Sequence, residues 1–214
     1  GADGVIIVER LEDQKARMIV LNADGSRPEM CGNGLRCLAA YVLDGAGEIA
    51  VLTDAGERRC RVARGEDEGY RVAATMGQAQ IGQAFAVPEG RRFLRVDVGN
   101  PHAVSFDPFE DADLDRVGPS IEKSVPGGIN VELCRIVDGR VDVLVWERGV
   151  GRTLACGTGA CAAVVAAAHE RLVPYDTPVD AVLPGGALTI RVHEGDSSLV
   201  MTGPACFVFR GETV

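Results

Sequence analysis

The feature that most constrains this chain is an internal repeat built on a cysteine followed by two glycines. Met30-Cys31-Gly32-Asn33-Gly34-Leu35-Arg36-Cys37 has a partner in Ala155-Cys156-Gly157-Thr158-Gly159-Ala160-Cys161. Each opens an alanine-rich apolar stretch, 35–42 in one half and 160–168 in the other, whose composition and start signals predict a helix. Each is followed by a hairpin signal, Asp54-Ala55-Gly56 and Pro184-Gly185-Gly186, between alternating apolar residues. Further on, Ala74-Thr75-Met76-Gly77-Gln78-Ala79 answers Met201-Thr202-Gly203-Pro204-Ala205, and the offset is about 125 residues at both the cysteines and these later glycines. A constant offset is what a duplication leaves behind. The expected fold is therefore α/β (α+β), with two pseudo-symmetric β-rich halves, each wrapped round a central helix. A chain of 214 residues, 46% of them hydrophobic, is long enough to bury such a core.

The two copies are unequal. The second begins near Arg92, with a strand at 93–98, then Gly99-Asn100-Pro101-His102, a strand at 103–106 and a polar helix around 112–124. Strands at 129–136 and 140–146 complete the approach to Cys156. About 60 residues thus precede the cysteine in the second copy and only about 30 in the first, which predicts that an N-terminal piece of the first copy is absent from this chain. The halves are drawn at 1–91 and 92–205, with 206–214 a tail returning to the first.

Charge and cysteine usage exclude several classes. A net charge of −9 without a basic patch argues against a nucleic-acid partner. No apolar run is long enough for a membrane span, and no signal-peptide pattern opens the chain. Seven cysteines, an odd number with no C-x-x-C among them, fit neither a disulfide framework nor the common zinc signatures. Free thiols in a reducing cytoplasm are expected, with no metal.

A Cys-Gly-x-Gly turn at a helix start has a clear physical use. Glycine lets a ligand approach the backbone closely, and the first-turn N–H groups point outward as anion donors. A cysteine there meets the positive end of the helix dipole, predicting a pKa lowered from about 8.5 toward neutrality. Two such sites related by pseudo-symmetry suggest two thiols acting on one substrate. One, as thiolate, removes a proton from an acidic carbon; the other, as thiol, delivers a proton to the opposite face. The N–H groups would stabilise the charge that develops on an α-carboxylate. Cys37, Cys60, Cys134, Cys161 and Cys206 lack this duplicated context and are expected to be buried small hydrophobes.

Asn22-Ala23-Asp24-Gly25-Ser26 followed by Met30-Cys31-Gly32-Asn33-Gly34 resembles the first active-site block of the diaminopimelate epimerases. The remaining blocks resemble Gly99-Asn100-Pro101-His102, Asn130, Glu147-Arg148-Gly149-Val150-Gly151 and Ala155-Cys156-Gly157-Thr158-Gly159. The resemblance implies an active site in the cleft between the two halves, and interconversion of LL- and meso-diaminopimelate for lysine and peptidoglycan precursor synthesis without a cofactor. It implies Cys31 and Cys156 as the acid–base pair, with His102 and Glu147 tuning the thiols. Asn22, Asn33, Asn100, Asn130 and Arg148 would bind the polar ends of the substrate, and Gly32, Gly34, Gly157, Thr158 and Gly159 would supply backbone donors. A homodimer is implied as well.

Two departures stand out. The family opens with a strand carrying Gly-Asn-Asp-Phe, whereas Gly1-Ala2-Asp3-Gly4-Val5 resembles a later stretch, and Arg152 stands where the family usually has an acidic or amide residue. Other readings remain open on sequence alone. A racemase of another amino acid would use the same cysteine pair, and a truncated, non-catalytic scaffold would keep the fold. Gly157-Thr158-Gly159-Ala160-Cys161-Ala162 also matches G-x-G-x-x-A, a weak nucleotide-binding signal because no strand runs directly into it.

Overall fold

A computed structural model describes residues 4–12, 14–22, 25–65, 69–87, 90–209 and 211–212. Residues 1–3 of the opening stretch, and Ala23 and Asp24 of the first resembling block, lie outside the described residues. By contact the chain divides into two compact units, 1–75 with 202–214, and 76–201.

The first unit holds strands β1 (Gly4–Arg10), β2 (Lys15–Asn22), β3 (Gly47–Thr53) and β4 (Gly56–Arg64), and helix α1 (Gly32–Leu43). It also holds most of β5 (Tyr70–Gln78) and the end of β14 (Ser198–Ala205). β1 pairs antiparallel with β2, and β2 runs parallel to β3 after the α1 crossover. β3–β4 and β4–β5 are then antiparallel. Alternation in β2 buries Ala16, Met18 and Val20, and α1 lays Leu35, Leu38 and Ala39 against the strands.

The second unit repeats this order. β9 (Asn130–Val137) pairs antiparallel with β10 (Arg140–Glu147), and β11 (Gly151–Thr153) folds back on β10. Helix α3 (Gly157–His169) then crosses to β12 (Val179–Leu183), which runs parallel to β10. β12 pairs antiparallel with β13 (Gly186–Val192), and β14 lies next to β13. Asp138 and Gly139, both at positive φ (50° and 80°), make the tight β9–β10 turn. Ahead of β9 the unit adds β6 (Gln80–Ala86), β7 (Arg92–Asp97), β8 (Pro101–Ser105) and helix α2 (Asp113–Ser124). The duplication read from sequence is thus one of topology: strand, strand, helix, parallel strand, hairpin.

The helices differ in how fully they are enclosed. α3 touches β7, β8, β9, β10, β12 and β13, and residues 159–168 are all buried. Its alanines let strands approach from every side, and Val164 and Val165 each contribute about 1.5–3 kcal/mol of burial. α1 touches β1 to β4 and leaves Cys37 and Tyr41 on an exposed face. Cys37 is therefore exposed rather than buried, as is Cys206, which lies beyond the end of β14. Cys60, Cys134 and Cys161 are buried, and none of the seven cysteines forms a disulfide.

The unit boundary falls inside β5, whereas the sequence places it after residue 91. β6 pairs with β7, and that pairing carries residues 80–86 into the second unit. Among the described residues no helix is long and apolar enough to cross a membrane.

Candidate active site

Cys31 and Cys156 occupy the same local structure. Each is the N-cap of its helix in an extended conformation, at φ −131°, ψ 113° and φ −134°, ψ 112°. Each backbone carbonyl accepts the first intrahelical bond, from Leu35 at 2.8 Å and Ala160 at 3.0 Å. Each sulfur accepts the N–H of the third helical residue, Gly34 at 3.4 Å and Gly159 at 3.3 Å. The thiols thus take the place that a serine or aspartate oxygen usually fills.

In the first unit Cys31 is half-buried. Asn33 turns its Oδ1 to Arg36, which donates from Nη2 at 3.1 Å. Arg36 is a buried cation that also donates to the carbonyls of Gly32 at 3.4 Å and Pro204 at 3.3 Å. Asn22 spends its side-chain amide on Ser26 Oγ at 2.9 Å, and Ser26 O accepts the Asn22 N–H at 2.9 Å. These bonds close the turn after β2, a local use of the kind asparagine commonly has.

In the second unit the named residues form a connected group. Asn130 is clasped at both ends, accepting the Arg148 N–H at 2.9 Å and donating to Pro101 O at 3.0 Å. It ties the loop after β10 to the start of β8. The same loop is held by Glu122 of α2, which accepts Trp146 Nε1–H at 2.7 Å and the Gly149 N–H at 2.8 Å. Those bonds, the Trp146 bond first, hold the Glu122 carboxyl below its ordinary range. Arg148 itself is exposed, with Nη1 donating to Gly127 O at 3.1 Å. Glu147 accepts Thr153 Oγ1–H at 2.6 Å. Asn100 donates to Thr158 Oγ1 at 3.3 Å, and Thr158 lies 3.5 Å from Cys156 Sγ.

The match to the diaminopimelate epimerase family model runs over residues 1–82 and 94–208. The diaminopimelate epimerase of Desulfitobacterium hafniense is 40% identical over 236 residues, covering 99% of this chain and 82% of that protein. That of Rhizorhabdus wittichii is 42% identical over 224 residues, covering 100% and 80%. The chain belongs to the diaminopimelate epimerase family. Solved structures of low identity share its fold. A hydroxyproline epimerase from Agrobacterium vitis gives a TM-score of 0.72 at 18% identity, over 95% of this chain and 72% of that one. A phenazine biosynthesis protein from Bacillus anthracis gives 0.76 at 15%, over 99% and 85%.

For this member of the diaminopimelate epimerase family, two features of the site differ from the sequence reading. The Cys156 thiol is pushed well above its ordinary range rather than toward neutrality. Burial is the main cause, and the Glu147 carboxylate adds to it. The Thr158 hydroxyl and the Gly159 N–H act in the opposite sense and are outweighed. The second difference is Glu132, which the sequence reading passed over. Its side chain is fully buried, as is that of His102, and Oε1 lies 2.6 Å from His102 Nδ1. His102 Nε2 lies 3.1 Å from Asn100 Oδ1. His102 is linked to Cys156 through Asn100 and Thr158. Burial raises the Glu132 carboxyl, and the neighbouring His102 opposes that shift. Arg36 was missed as well; its place in the first helix corresponds to Cys161 in the second.

Proposed function

We propose that this chain interconverts LL- and meso-diaminopimelate, with Cys31 and Cys156 as the two groups that exchange protons with the α-carbon. The observation that carries the assignment is the matched N-cap geometry of the two cysteines, each sulfur held by the N–H of the third helical residue. Family membership supplies the substrate class. One cysteine, as thiolate, takes the α-proton from one face, and the other, as thiol, returns a proton to the opposite face, so configuration inverts. Each turnover leaves the enzyme with its proton on the other sulfur.

The first-turn N–H groups at Gly32, Asn33, Gly157 and Thr158 suit the substrate carboxylate, which gains negative charge as the α-carbon loses its proton, while those of Gly34 and Gly159 are given to the two sulfurs. Asn22, Asn33, Asn100, Asn130 and Arg148 are assigned to the polar ends of the substrate. Glu147 acts on Cys156 as a like charge that favours the thiol. The scheme needs only thiols and fixed donors. A homodimer working in the cytoplasm completes the proposal; sedimentation of the reduced chain at twice the monomer mass supports the dimer, and a monomer mass refutes it.

The test is incubation of the reduced chain with LL-diaminopimelate in D₂O, following α-deuteration and meso product together. Uptake with epimerisation in the wild type, with conversion lost in both Cys31→Ala and Cys156→Ala, is expected. Conversion that survives either substitution removes that cysteine from the mechanism.

A further inference from the structure

A continuous chain of polar contacts leads from Cys156 into the core of the second unit, and its hydrogens can be assigned. Asn100 gives its Nδ2–H to Thr158 Oγ1 at 3.3 Å, so its Oδ1 is the atom facing His102 Nε2 at 3.1 Å. A carbonyl oxygen only accepts, so Nε2 carries a hydrogen. Thr158, having accepted from Asn100, keeps its own hydroxyl hydrogen for Cys156 Sγ at 3.5 Å. At the far end, one proton occupies the 2.6 Å line between His102 Nδ1 and Glu132 Oε1. Whichever atom holds it, the pair is neutral in sum. Glu132 Oε2 is buried with no partner among the described residues, and a fully buried carboxylate in that state gains from sharing a proton.

Resting on the reading that Cys156 is a proton-transfer group, we propose that Glu132 is its positioning residue. By sharing a proton with His102 Nδ1, Glu132 keeps Nε2 protonated and fixes the direction of the chain, so that Thr158 donates its hydroxyl hydrogen to the Cys156 sulfur. The chain offsets part of what burial and Glu147 do to the thiol, and lets a deeply buried sulfur carry negative charge. The groups facing Cys156 are Glu147 at the end of β10 and Glu132 on β9, whose negative charges raise the thiol, and, on α3, the Thr158 hydroxyl and the Gly159 N–H, which lower it; the proton shared with His102 cancels the Glu132 charge in sum and leaves its effect through the chain.

The glycine at the third helical position shows how close the carboxylate comes. A Cβ on Gly159 would lie 2.9 Å from Glu132 Oε1, whereas on the matching Gly34 its nearest neighbours would be the Ile6 side chain and Cys31 Cβ. Among the described residues no acid is one of the nearest neighbours at the matching place in the first helix, which sets Cys156 apart from Cys31.

The test reads the Cys156 thiolate without catalysis. In the full chain carrying Cys31→Ser, alkylation of Cys156 by iodoacetamide is followed against pH by peptide mass mapping. Thr158→Val raises the midpoint by about one to two pH units, the effect of removing one donor from a charged sulfur, and Thr158→Ser restores it. Glu132→Leu, of similar volume, raises it by a comparable amount. Glu132→Gln does not, because its amide N–H donates to Nδ1 and leaves Nε2 protonated. The Glu132→Leu, Thr158→Val double variant shifts no further than Thr158→Val. An unchanged midpoint in either Thr158→Val or Glu132→Leu overturns the proposal, as does Glu132→Gln behaving like Glu132→Leu. Nitrogen-15 spectra of histidine-labelled wild type show His102 Nε2 protonated; an unprotonated Nε2 overturns the proposal whether or not any variant folds. Loss of the two-thiol reaction itself would appear in the D₂O assay and leave these readings untouched.

Discussion

The two N-cap turns allow one substitution to be made twice in matched places, with opposite expectations. In Gly159→Ala the new Cβ would sit 2.9 Å from Glu132 Oε1 and 3.3 Å from Cys156 Cβ, where ordinary contact begins near 3.4 Å. Glu132 must retreat by about 0.5 Å to restore that contact, and it is a buried group held 2.6 Å from His102. Overpacking of this kind costs about 1–3 kcal/mol. Alanine returns at most about 1 kcal/mol of helix propensity over glycine, and less in the first turn. The clash wins: Gly159→Ala is destabilised by about 1–2 kcal/mol. Its kcat/KM falls roughly ten- to a hundredfold as the Cys156 sulfur and its donors shift.

In Gly34→Ala the Cβ meets Ile6 Cδ1 in a closer overlap than the one at Gly159. That atom is the end of the flexible, half-buried Ile6 side chain on the largely exposed β1, and turning it costs about 0.5–1.5 kcal/mol, which the propensity gain nearly cancels. Denaturant titration of both variants beside the wild type, with initial rates in both directions, makes the comparison. Gly34→Ala proving the more damaging to stability, or Gly159→Ala matching the wild type in stability and rate, would refute the reasoning.

Other substitutions probe the surroundings. Glu122→Ala frees the Gly149 N–H and Trp146 Nε1, loosening the loop that carries Arg148. Its KM for diaminopimelate should rise several-fold with the Cys156 alkylation midpoint unmoved; an unchanged KM refutes the link. Gly118→Ala puts a Cβ 2.5 Å from Trp146 Cγ, and a loss of about 1–3 kcal/mol is expected in denaturant. Native labelling with an alkylating reagent should modify the exposed Cys37 and Cys206 first and leave Cys60 and Cys134 last; modification of Cys60 ahead of Cys37 contradicts the packing. Burial pushes the Cys60 thiol from 9.0 up to about 12. The folded state therefore keeps a proton that the unfolded chain releases above pH 9.0. The resulting stability is full below that pH and declines as pH rises toward about 12. Cys60→Ala should flatten this alkaline decline by one proton's slope, and an unchanged slope would remove Cys60 as its source.

The repeat, the helices and the hairpins were legible because they depend on local signals, such as glycine at turns and apolar alternation, that a duplication presents twice. Glu132 was not. In Asn130-Val131-Glu132-Leu133, alternation suggests one face toward solvent, but β9 lies between β8 and β10 with residues 130–134 all buried. A charged residue in a strand covered on both faces is itself the signal, and only the enclosure of α3 shows that both faces are covered. The ionisation of Cys156 failed for a related reason: a helix start can be recognised in sequence, whereas burial beside Glu147 depends on how β10 ends. Cys37 shows the reverse case, since its exposure follows from strands being placed on one side of α1.

The sealed, high-pKa setting of Cys156 has a consequence for turnover. On the two-thiol scheme the free enzyme exists in two forms that differ only in which sulfur holds the proton, and a buried thiol beside a carboxylate makes one of them the form that waits. One epimer of the substrate then meets the enzyme ready, while the other must find the scarcer form. The equilibrium constant fixes the ratio of kcat/KM in the two directions, so this bias cannot favour either product. It emerges instead at saturation, where the proton must return between sulfurs before the next molecule of the same epimer is accepted, and that return then limits the rate.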